Sequence, residues 1–127
     1  MFTPFLMIAA LFASDPTVNE SQEALVQASI TDLKRHDPSL ATAFRNVRLT
    51  IDEDEDGAKR NLVCGEFRPA APRRGVEWEA FGSRDTMSGR EHLVGAMAKI
   101  WCENPDLVWD PEQDLSARFS TEVTGAR

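Results

Sequence analysis

"NVRLTIDEDEDGAKRNLVCGEF", residues 46–67, decides the fold, because its acidic centre reads either as a calcium loop or as the turn of a β-hairpin. Counted from Asp52, carboxylates stand at positions 1, 3 and 5 (Asp52, Asp54, Asp56) and Gly57 at position 6, as at the opening of a calcium loop. The remainder does not fit. Position 12, which needs a bidentate Glu, is Val63, the apolar position 8 is Lys59, and the flanks alternate as strands. Val47, Leu49 and Ile51 fall on one face and Arg48 and Thr50 on the other, the period-two pattern of a half-buried strand. Asp56 and Gly57 are turn residues, and "NLVCGEF" forms the second strand. The hairpin is the reading adopted; weak cation binding by Asp52, Asp54 and Asp56 is the alternative.

On the N-terminal side, Val26, Ile30 and Leu33 follow helical spacing, widened by Leu25 and with the small Ser29 inside the stripe. This predicts a helix over about residues 18–36, opened by a capping box of Thr17 and Glu20. Asp37 and Pro38 then start a short helical turn that carries Leu40 and Phe44 into the core. On the C-terminal side, "VEWEAF" (76–81) predicts a third strand, and Ser88 with Glu91 a second capping box. The helix that follows presents Leu93, Met97, Ile100 and Trp101 and ends at Asn104 and Pro105. Val108, Trp109, Leu115 and Phe119 pack a last short segment before residues 120–127 fray. The expected fold class is α+β: an N-terminal helix, a three-stranded antiparallel meander, and a C-terminal helix packed on the sheet, in one domain over residues 14–119.

A chain of 127 residues with 42% hydrophobic and 28% charged side chains has the composition of one ordered domain. Its net charge of −7 is mostly local: without residues 52–56, 16 acids face 14 bases. Such a balance argues against nucleic acid as a partner. "MFTPFLMIAALFA" (1–13) is uncharged and too short to span a bilayer, so it reads as a signal peptide cleaved near Ala13 or Ser14, with a buried N-terminal segment as the alternative. No later apolar run is long enough for a span. Export suits the two cysteines, Cys64 and Cys102, which then form one structural disulfide; in a reducing compartment they are two buried thiols.

Catalytic signals are weak. His36 and His92 each adjoin an acid but match no ligand spacing, and both are expected at helix ends in solvent. Ser83 and Ser88 lack a nucleophile elbow, and Glu77 with Glu79 reads as the exposed face of an edge strand. No catalytic residue, cofactor or metal is assigned. "RPAAPRRG" (68–75) places Arg68, Arg73 and Arg74 beside Trp78, a positive loop suited to an acidic envelope protein or an anionic glycan. The expected function is that of a monomeric, non-enzymatic envelope or periplasmic protein that binds a macromolecule; the alternative is a small secreted hydrolase or an inhibitor of an envelope enzyme.

Asp37, Pro38, Ser39, Phe44, Arg45 and Val47, followed by Val63, Cys64, Gly65 and Glu66 and then Gly75 and Phe81, resemble a group of small, largely uncharacterised exported proteins of proteobacteria. In that group an Asp-Pro-Ser turn leads to Phe-Arg-x-Val and a strand ending Val-Cys-Gly-Glu, and Trp101-Cys102 is similar to its second cysteine site. This chain has Phe67 and Arg68 where the group has Asn, and a longer approach to Phe44. The resemblance covers about a third of the chain and implies a compact periplasmic domain with a disulfide, without implying an activity.

Overall fold

A computed structural model describes residues 18–36, 41–53, 55–71, 75–86 and 89–125. The proposed signal peptide, Thr17, Asp37 to Ser39, Asp54, Arg73, Arg74 and Ser88 therefore lie outside the described residues. In chain order the elements are helix α1 (Glu20–His36), strands β1 (Ala41–Glu53), β2 (Lys59–Pro69), β3 (Glu79–Thr86) and β4 (Gly89–Val94), and helices α2 (Ala96–Cys102) and α3 (Ser116–Phe119). A π-helical turn, Ser120–Gly125, continues α3. The strands form an antiparallel meander in the order β1-β2-β3-β4.

The class is α+β, as expected, with three corrections. The sheet has four strands: Gly89–Val94, expected to open a helix, pairs instead with β3, from Thr86 opposite Gly89 to Phe81 opposite Val94. Gly95 has φ 97°, a left-handed value that only glycine adopts without cost, so the chain turns there and the helix begins at Ala96. That helix packs through Ala98, Trp101 and Cys102, while Met97 and Ile100 are 57% and 65% exposed. Second, the helical turn expected to end at Arg45 is strand from Ala41 onward, with Phe44 buried opposite Phe67. Third, the expected frayed end is ordered through residue 125, and Val123 is buried.

Helix α1 is capped by Asn19: the Gln22 N–H donates to Asn19 Oδ1 (2.9 Å) and the Asn19 N–H to Gln22 Oε1 (3.2 Å). This is the same reciprocal device shifted by two residues. Leu25, Val26, Ile30 and Leu33 then bury their stripe on the sheet's inner face. Around Phe44, Phe67, Phe81 and Phe119 the rings pack at centroid distances of 5.6–6.4 Å. Edge strand β1 is closed by the C-terminal segment: Ser116 Oγ accepts from the Val47 N–H (3.0 Å) and Gln113 Oε1 from the Leu49 N–H (2.8 Å).

The sheet's outer face is different in kind. Cys64 lies there, not in the main core, and bonds to Cys102 of α2 with the two Cα atoms 5.9 Å apart. A Cβ on Gly82 would stand 3.3 Å from the Trp101 ring and 3.4 Å from Cys102 Sγ, so glycine there lets α2 approach the sheet closely.

Candidate functional site

Along β1 and β2 the charged side chains Arg45, Arg48, Asp52, Arg60, Glu66 and Arg68 fall on the face opposite α1. A row of ion pairs crosses all four strands: Asp52 of β1 faces Arg60 of β2 and reaches diagonally to Arg84 of β3, which faces Glu91 of β4. Asp52 Oδ2 is 3.3 Å from Arg60 Nε and 3.9 Å from Arg84 Nη1, and Arg84 Nε is 2.8 Å from Glu91 Oε1. A second row joins Arg45 and Glu66 (2.9 Å), and Asn46 Nδ2 donates to the same Glu66 oxygen (3.1 Å). Burial alone would raise the Glu66 pKa, but these hydrogen bonds and the positive charge of Arg45 outweigh it and hold the carboxyl below its ordinary value.

All three tryptophans of the chain meet this face, each against an arginine guanidinium. Arg84 lies 3.9 Å from the Trp101 ring centroid, Arg45 4.2 Å from Trp78, and Arg48 4.8 Å from Trp109. The rings are half-buried, each with a guanidinium lying against it. Beside them Met97, Ile100 and Val108 (83% exposed) put large apolar side chains into solvent.

The structure brings Arg68 and Trp78 to one end of this face, where Arg68 Nη2 is 3.4 Å from Glu77 Oε2 and Trp78 lies against Arg45. Arg73 and Arg74 belong to the same connection but lie outside the described residues. Asp52 is taken by the two arginines of the first row, Asp56 sits in the hairpin turn, and among the described residues no group of three metal-ligating side chains forms. Glu77 precedes β3 and binds Arg68, so it does not share a strand with Glu79.

The histidine expected in solvent at a helix end, His92, is instead on β4 and mostly covered. Its Nδ1 is 2.6 Å from Ser83 Oγ, which donates to Ser29 Oγ (3.0 Å). Asp32 Oδ2 lies 4.0 Å from the same Nδ1 and is held by Arg90 at 3.0 Å. Serine, histidine and aspartate thus meet, yet not as a hydrolytic triad, which needs the hydroxyl and the carboxylate on opposite ring nitrogens. Here both address Nδ1, and Ser83 is fully buried beneath α1, where no substrate reaches it. The cluster is a polar joint between helix and sheet.

No family model, curated protein or solved structure matches the chain. Among the described residues no helix is long and apolar enough to cross a membrane.

Proposed function

We propose that the chain is a non-enzymatic domain that binds another protein through the outer face of its sheet, and that it works in an oxidising compartment such as the periplasm. The carrying observation is the gathering of all three tryptophans, each backed by an arginine, on the one face that no long helix covers. Trp and Arg supply most of the energy at protein interfaces because each desolvates a large, rigid surface around a polar handle. The exposed Met97 and Ile100 add apolar area at the same place.

A protein partner is favoured over an anionic glycan. Arg45, Arg60, Arg68 and Arg84 are already matched by carboxylates, which among the described residues of this face leaves little uncompensated positive charge for a polyanion. The Cys64–Cys102 bridge supports the oxidising compartment, since such bonds are rare in reducing cytosol. An inhibitor of an envelope enzyme is one form that such a binder could take; for the hydrolase alternative, the buried Ser83 does not serve as an accessible nucleophile.

The test is a pull-down from envelope extract of the native host with the wild-type chain, Trp78→Ala and Ile100→Asp as baits. A specific partner recovered by the wild type, and roughly tenfold less by either variant, supports the reading. Equal recovery by all three removes the outer face as the interface.

A further inference from the structure

Among the described strand arginines, Arg45, Arg60, Arg68, Arg84 and Arg90 each hold a carboxylate at 2.8–3.4 Å. Among the described residues Arg48 forms no ion pair. Its guanidinium rests on the Trp109 ring, its Nε–H is buried without an acceptor, and it lines a cleft of about 190 Å³ between β1, β2, α2 and Trp109. We propose that this cleft is a binding site for a carboxylate group, with Arg48 as its anchor and Trp109 as its apolar wall.

Three observations converge on the spot. A buried N–H without an acceptor costs about 1–3 kcal/mol, and Arg48 carries one. The strand bulges immediately before it, between Arg45 and Arg48, and within that bulge Asn46 has φ 56°, the left-handed region that non-glycine residues rarely enter. Bulges and left-handed residues recur next to binding sites, where they re-aim a side chain. Here the bulge turns Arg48 onto the outer face.

The charges select the ligand class. Glu66 and Glu103 also line the cleft, but Glu66 is bound by Arg45 and Asn46, and Glu103 lies 4.0 Å from Lys99. Asp114 feels Arg48 through space without pairing to it. One guanidinium is thus left to answer one negative charge, which a planar carboxylate matches, whereas a phosphate dianion would meet the two glutamates. The volume equals the share of about six liquid waters, enough for a carboxylate and a few further atoms. A free small acid and the C-terminal residue of a peptide both carry that group. The inference goes beyond the macromolecular reading and stands if no protein partner exists.

Titration of the isotope-labelled full chain at constant ionic strength, followed at the Trp109 indole N–H and the Arg48 Nε–H, tests it with acetate, N-acetylglycine, N-acetylglycinamide and inorganic phosphate. Saturable shifts with the two acids, and binding of the amide roughly tenfold weaker or less, are expected. Tighter binding of N-acetylglycine than of acetate identifies a peptide end as the source; equal binding identifies a free acid. Arg48→Gln should abolish the acid titration and Arg48→Lys weaken it about tenfold, because the charge stays and the fork is lost. Acid and amide shifting Trp109 alike, phosphate binding tighter than acetate, no saturable shift, or a folded Arg48→Gln variant that titrates unchanged would overturn the site; the acid and amide comparison decides even if that variant unfolds.

Discussion

Arg45 and Arg48 stand three positions apart on one strand and point from the same face of the sheet. Arg45 pairs with Glu66 and Arg48 with Cys64, so Asn46 and Val47 together oppose Gly65 alone. The left-handed Asn46 absorbs the extra residue. Asn46→Val should cost about 1–2 kcal/mol in urea unfolding, because a β-branched side chain clashes in that conformation. Asn46→Gly, which loses the same bond to Glu66 without the clash, should be the milder change; equal losses would remove the backbone explanation.

Ser83, fully buried, links Ser29 of α1 to His92 of β4. Ser83→Ala removes both bonds and should lower stability by about 1–3 kcal/mol. Unchanged denaturant midpoints would mean that the network contributes nothing.

The bridge between Cys64 and Cys102 closes a loop of sequence separation 38. In the chain-entropy model it contributes roughly 3–4 kcal/mol. The Cys64→Ala, Cys102→Ala double variant should therefore melt about 10 °C or more below the oxidised wild type. Coincident melting curves would contradict the bridge.

Glu66 titrates below its ordinary value of 4.5 in the folded chain, so the folded state holds fewer protons than the unfolded one on the acid side. Its contribution is complete above that value and is lost as the pH falls through the lower, folded one. Asp114, held low by the Ser116 hydroxyl and backbone N–H, acts in the same sense below 3.8. Melting temperature plotted against pH should fall less steeply for Glu66→Gln than for wild type below about pH 5. Parallel curves would show that Glu66 is not held.

Much of this architecture is legible in the sequence where one period dominates. The stripe of Leu25, Val26, Ile30 and Leu33 is buried on α1 as its spacing predicts, and Ser29 within it is buried because Ser83 satisfies it. The alternation of Val47, Leu49 and Ile51 places β1, although Ile51 at the sheet's end is half exposed. What escaped reading has a physical cause in each case. The bulge hides the fact that Phe44 and Val47 share a face, since strand residues three apart normally do not. Strand β3 runs later than "VEWEAF" because Gly82 and Ser83, poor strand formers, are used there for contact with Trp101 and with Ser29. The helical spacing of Leu93 and Met97 joins a strand residue to an exposed helix residue across Gly95. Of the proposed interface, the basic connection 68–75 marks Arg68 and its neighbour Trp78 in the sequence. Nothing in the sequence groups Arg45, Arg48, Arg84, Trp101 and Trp109 with them, because only the folded sheet unites them.

Cross-linking mass spectrometry on the native protein in its own envelope extract tests the central claim most directly. The account predicts that links to a partner concentrate on the outer face, at Lys99 and the residues around Trp78 and Ile100, and spare the exposed side of α1. Links concentrated on α1, or spread evenly over the surface, would contradict it.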